Sequence, residues 1–264
     1  MRDHSRWIDQ TPMSDPAGYA PRLSDLPADI AVLQRVIQGL LVHSEWLTEY
    51  GLDPTRLRGV SRETLPVAQR LANILALDAQ PLHVTRAPER RAVGTCRDFA
   101  LMLCAMLRSK GIPARVRCGF AAYFHTGWED HWVCEYWDRA TQAWRLSDPQ
   151  LDAIQQRLCH VAFDTTDVPR DAFVTAGQAW LDCRANRVDP NRYGHGDVTG
   201  LWFVQVNVMR DHYVINNRET SVWDSWRAAP SSMRIVKDAD IVRLDAVAAA
   251  PERPFVAVTP DWLA

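Results

Sequence analysis

Four of the chain's six cysteines and two of its eight histidines fall between Gly94 and Asp138, in GTCRDFALMLCAMLRSKGIPARVRCGFAAYFHTGWEDHWVCEYWD. Thiols and imidazoles at this density suit three roles: sulfur in an apolar core, a metal site, or a nucleophile with its base. Which role holds depends on which side chains can face each other. Thr95-Cys96-Arg97-Asp98 offers a hydroxyl and, three residues on, an acid, directly before an apolar run over 99–107. That spacing is a capping box and predicts a helix whose first residue is Cys96. A thiol there sits among unpaired backbone N–H groups at the positive end of the helix dipole, an environment that favours thiolate, and its own N–H can serve a developing oxyanion. Gly94 permits the sharp turn into the helix, and Gly111 with Pro113 predicts its end. Cys104, in mid-helix, reads as packing.

The histidine is placed by strand parity. If 131–137 is a strand, His131, Val133, Glu135 and Trp137 share one face and Trp132, Cys134 and Tyr136 the other. His131 and Cys134 then cannot hold one metal, and no CxxC or HxxxH spacing replaces that pair. The expectation is no metal. Residues 138–142, Asp-Arg-Ala-Thr-Gln, have the composition of a hairpin turn into a strand over 144–148, which would bring Asp148 back alongside His131. An acid so placed can fix the imidazole's tautomer and stabilise its charged form. Asp148 precedes a proline and could simply open a turn, and Asp152 competes for the same role. Trp128, Glu129 and Asp130, just before His131, form a solvated loop in the plainest reading; as neighbours of a catalytic strand they are also the candidate substrate contacts. His125 lies in the same loop.

Gly-x-Cys opening a helix, Gly-Ile-Pro-Ala-Arg turning into a strand, His-Trp-Val-x-Glu-Tyr on a second strand and Trp-x-x-x-Asp-Pro on a third resemble the core of the transglutaminase-like superfamily, an order shared broadly with papain-like cysteine enzymes. The resemblance covers about 65–152. It implies an α+β fold in which the nucleophile's helix packs on an antiparallel sheet, with Cys96 as nucleophile, His131 as general base and acid, and Asp148 as the orienting acid. It implies acyl transfer or hydrolysis on a peptide, amide or acyl-thioester substrate, free or carrier-bound, with no cofactor. The other class of function is a catalytically silent binding or scaffold protein on the same fold.

The elements that must hold these residues follow from periodicity. Apolar residues Ile30, Leu33, Ile37, Leu40 and Leu41 recur at helical spacing after Asp29, and Leu65, Ala68, Leu71, Ile74 and Leu75 do so after Ser61. Strands are expected over 115–120, 131–136 and 144–148. Beyond Asp152 helices are expected over 171–184, 201–216 and 231–244. Residues 1–24 read as an arm held through Trp7 and Tyr19. No repeat or low-complexity linker divides the 264 residues, so one domain is expected, with helical extensions on both sides of the core.

A net charge of −2 supplies no basic field for a nucleic acid. No run approaches the roughly 18 apolar residues of a membrane span, and MRDHSRWIDQTPMSDP lacks a secretory apolar core. Six dispersed cysteines suit free thiols in a reducing compartment. The expectation is a cytoplasmic protein that binds neither nucleic acid nor membrane.

Overall fold

The structure, a computed structural model, describes residues 4–58, 60, 63–124, 127–219 and 222–263; His125 lies outside them. The fold is α+β, as expected. Two compact units divide the chain: Met1–Val116 with Val133–Val168, and Arg117–Trp132 with Pro169–Ala264.

The first unit holds α1 (Ala20–Ser24), α2 (Ile30–Leu40), β1 (Leu41–His43), α3 (Val67–Leu77), β2 (Ala92–Gly94) and α4 (Cys96–Arg108). Asp29 caps α2 by accepting the Val32 N–H at 2.8 Å, so the helix begins where the sequence placed it. The second helix begins after Pro66 rather than at Leu65, because Pro66 holds an extended backbone outside the first turn. Helix α4 is enclosed along its length: residues 100–107 are all at most 1% exposed, which is why its sequence is apolar all round rather than striped. It closes as expected, with Gly111 in the left-handed region (φ +67°) and the Ile112 N–H returning to the Leu107 carbonyl at 3.0 Å. Trp7 is buried, and Arg115 lies over its ring at 4.6 Å and over Trp144 at 4.0 Å, which ties down the N-terminal arm.

Two longer strands, β3 (Ala114–Ala121) and β4 (Trp128–Asp138), pass through both units, and β5 (Ala143–Ser147) and α5 (Ala153–Leu158) complete the first. The expected hairpin is present: β4 and β5 pair antiparallel from Cys134↔Ser147 to Asp138↔Ala143. Both faces of β4 are covered from His131 to Tyr136, so its buried positions do not alternate with exposed ones.

The second unit adds β6 (Phe173–Thr175), α6 (Ala176–Arg184), β7 (Tyr193–His195), β8 (Val198–Thr199), α7 (Leu201–Ile215) and α8 (Asp238–Ala249). The sheet runs β6-β3-β4-β7-β8, with β5 on β4. β3 with β6, β4 with β5 and β7 with β8 pair antiparallel, and β4 with β7 runs parallel. Two helical expectations need correction. Residues 173–175 are an edge strand on β3, and the helix begins only at Ala176, where Thr175 caps it. The last helix is Asp238–Ala249 rather than 231–244, because Asp238 and Asp240 supply the acidic first turn that 231–234 lack. A core of Phe120, Trp180, Phe203, Trp226 and Leu244 gathers α6, α7 and α8. No helix among the described residues is long and apolar enough to cross a membrane.

Candidate active site

Cys96 is the first residue of α4 and is half-buried. Its position is set by Asp98, whose carboxylate accepts the Thr95 N–H at 2.8 Å and the Thr95 hydroxyl at 3.2 Å. The Asp98 N–H returns to the Thr95 carbonyl at 2.9 Å, closing the turn around the thiol. A Cβ at position 94 would lie 3.1 Å from the Asp98 Cβ, so glycine leaves room for the carboxylate to fold back. Behind it, Arg70 of α3 donates to Asp98 Oδ1 at 2.6 Å and to the Val93 carbonyl at 2.7 Å. Both partners of this pair are buried, and removing one would strand a charge at a cost of about 3–5 kcal/mol. One salt bridge thus fixes the end of β2 and the first turn of α4 together.

Asp148 follows β5 and is fully buried. Its N–H leaves the β4 ladder for the Thr165 carbonyl (2.8 Å), and its Oδ1 accepts the Gln150 N–H at 3.0 Å. Asp152 has different work. Its Oδ1 caps α5 by accepting the Ile154 and Gln155 N–H groups at 2.9 and 3.1 Å, and its Oδ2 accepts the Tyr50 hydroxyl at 2.6 Å. Burial, reinforced by that bond, holds the Tyr50 proton more firmly than in an ordinary phenol.

In the second unit His131 is 2% exposed and lies on β4 within a collar of aromatic edges. The rings of Tyr123, Phe124 and Phe173 stand at centroid distances of 5.9, 4.9 and 6.4 Å, all roughly perpendicular to the imidazole. The expectation of a loop at Trp128, Glu129 and Asp130 is corrected: these residues open β4, because Trp128 and Glu129 pair in parallel with Tyr193 and Gly194 of β7. Trp128 packs on the second unit's core. Glu129 meets His195 Nδ1 at 2.6 Å, and Asp130 accepts from Arg210 at 3.0 Å.

Arg210 belongs to α7. It also pairs with Asp224 (3.0 Å) and lies over Trp132 at 4.7 Å, so both neighbours of His131 in the chain are held by one guanidinium. Next to it, Asp211 accepts Arg117 Nε and Nη2 at 2.9 and 2.8 Å and the Cys118 N–H at 2.9 Å, which pins β3. The signal for these contacts was charged residues inside an apolar helix, which must find buried partners.

Of the remaining cysteines, Cys159 is half-buried like Cys96 and the others are buried. Cys104, Cys118 and Cys134 are fully buried. Burial pushes the Cys118 thiol pKa up, and burial together with a hydrogen bond to Cys104 does the same to Cys134. Cys183 is pushed up to about 11 by burial and then by Asp182, and Cys159 is raised by burial and then by Asp148. Among the described residues, no group of three or more His, Cys, Asp or Glu side chains is arranged to hold a metal ion.

Residues 71–149 match the transglutaminase-like superfamily core. No curated protein matches the chain. A solved structure from Cytophaga hutchinsonii, provisionally described as a cysteine protease, aligns at 14% identity over 64% of this chain and 44% of its own, with a TM-score of 0.38. The chain therefore spans less than half the length of that protein.

Proposed function

Because residues 71–149 carry a transglutaminase-like superfamily core, we propose that this protein is a cysteine enzyme acting on acyl groups, with Cys96, His131 and Asp148 as its triad. In this reading His131 accepts the proton of Cys96 as the sulfur attacks an amide or thioester carbonyl. The N–H groups at the start of α4 stabilise the tetrahedral oxyanion. His131 returns the proton to the leaving amine or thiol, and Asp148 orients the imidazole throughout. Water or an amine then releases the acyl group from sulfur, giving hydrolysis or transfer.

The observation that supports the reading most is Cys96 itself: half-buried, at the capped first position of a helix, inside the matched residues. Trp128, Glu129 and Asp130 are the proposed substrate contacts. Each is partly covered, and Glu129 and Asp130 already hold His195 and Arg210, so a substrate would meet carboxylates that have partners. Intact mass measured after exposure to a panel of peptide amides and acyl thioesters tests the proposal. The expected result is a single acyl increment from one donor class, absent from Cys96→Ala. No increment from any donor, or an undiminished one in Cys96→Ala, would overturn it.

A further inference from the structure

We infer that Gln34 of α2 is the positioning residue for Asp148; the inference rests on Asp148 being the orienting acid. Asp148 lies just beyond the end of its sheet ladder. The pairing of β4 with β5 reaches Cys134↔Ser147, one residue short of it, and Pro149, one residue further on, has no N–H to give. The Asp148 backbone is carried instead by the Thr165 carbonyl, which accepts its N–H at 2.8 Å. That same carbonyl accepts Gln34 Nε2 at 2.8 Å. Gln34 Nε2 also donates to Ser147 Oγ at 2.8 Å, and Gln34 Oε1 accepts the Thr165 hydroxyl at 3.0 Å. One amide therefore grips the residue before Asp148 and, at two points, the residue on which the Asp148 N–H rests.

Gln34 is buried among the apolar positions of α2, where an amide without partners would be costly. Both of its N–H groups and its oxygen are engaged, so the amide fits one way round only. Gln38, one turn along the same helix face, repeats the contact more loosely: its Nε2 lies 3.3 Å from the Pro149 carbonyl and 3.3 Å from that of Leu151. The two glutamines thus bracket Asp148, Gln34 through residues 147 and 165 and Gln38 through residues 149 and 151. Within that bracket the Gln150 N–H aims the carboxylate by donating to Oδ1 at 3.0 Å. An acid can hold an imidazole in one tautomer only if its carboxylate stays within about 0.5 Å of the productive place. The ladder stops too early to ensure this. Gln34 supplies the missing anchor, and it acts through Asp148 rather than on a substrate.

Alkylation of Cys96 by iodoacetamide reads the effect without a substrate. The Sγ–C bond forms, the C–I bond breaks, iodide leaves, and the thiol proton goes to His131, whose charged form Asp148 stabilises. Gln34→Met keeps the length of the side chain and removes all three bonds. It should label Cys96 at neutral pH about 10-fold more slowly than the native chain. In the Asp148→Asn background the same change should alter labelling less than about 2-fold, since its effect passes through the carboxylate. The nitrogen-15 spectrum of the His131 ring, recorded in alkaline solution on Cys96→Ala so that no thiol shares its proton, gives a signature that lost stability alone does not move. One pyrrole-like and one pyridine-like nitrogen are expected with Gln34 in place, drawn toward a common shift when Gln34→Met is added and the tautomers mix. Native labelling with an unmoved spectrum in folded Gln34→Met would overturn the proposal. So would an equal slowing in the Asp148→Asn background, which would make Gln34 a general support of the fold. If Gln34→Met does not fold, Ser147→Ala decides: it removes one of the three bonds and should slow labelling about 3-fold, and an unchanged rate there overturns the proposal. Asp148→Asn that labels as fast as the native chain would instead sink the orienting role of Asp148 itself, a different result from any of these.

Discussion

Cys96→Ala is expected to bring acyl transfer or hydrolysis down to the uncatalysed background, a loss on the order of 10⁵–10⁶-fold. The argument is chemical before it is structural. A covalent path divides one difficult displacement into two easier ones, and without the sulfur there is no acyl-enzyme to form. None of the other five thiols is placed to substitute. Cys104, Cys118 and Cys134 are sealed in the interior, Cys183 is pushed up to about 11, and the Cys159 thiol is held protonated by burial and by the nearby carboxylate of Asp148. The fold should survive, since alanine suits the first turn of a helix and the bonds that build this one run through Thr95, Asp98 and Arg70. Turnover of the acyl donor identified by intact mass, compared between native and Cys96→Ala, is the check. Residual turnover above about a hundredth of the native rate would mean that another group attacks.

Asp148→Asn is expected to lower turnover about 10⁴-fold while leaving the melting temperature nearly unchanged, because an amide can hold the wrong tautomer of the imidazole. Asp152→Asn should leave turnover within a few-fold. Asparagine is as good an N-cap as aspartate, and it can still take the Ile154 and Gln155 N–H groups that Asp152 takes now. Asp152→Ala adds a second contrast, costing about 1 kcal/mol of stability through the lost cap without a matching loss of turnover. The two positions are four residues apart and chemically alike, so steady-state rates beside thermal melts decide between them. The reverse ranking, with Asp152→Asn the silent enzyme, would transfer the orienting role to Asp152.

What the sequence made legible follows from how each feature is encoded. The start of α4 is written locally: Thr95 and Asp98 close the cap around Cys96 at the expected residue. The hairpin of β4 and β5 is likewise local, with turn residues between two long strands. The beginning of β4 is different. Trp128–Asp130 looked like a loop because they become a strand only by pairing with β7, whose three residues carry no period of their own. β1 and β2 were invisible for the same reason. Arg210 and Asp211 could be seen as charges in an apolar helix, but nothing local names Asp130 or Arg117 as their partners. Short strands and buried ion pairs are settled by tertiary register, which spacing along the chain does not report.

The central claim, that Cys96 is the reactive nucleophile of this fold, is tested most directly by limiting alkylation of the native protein near neutral pH followed by peptide mapping. Iodoacetamide at about one equivalent should modify the peptide containing Cys96 first and nearly stoichiometrically. The peptides containing Cys104, Cys118, Cys134, Cys159 and Cys183 should stay unmodified until the protein is denatured. If another cysteine is labelled first, or if Cys96 reacts no faster than a free thiol at the same pH, the stretch from Gly94 to Asp138 is a packed core and not a catalytic one.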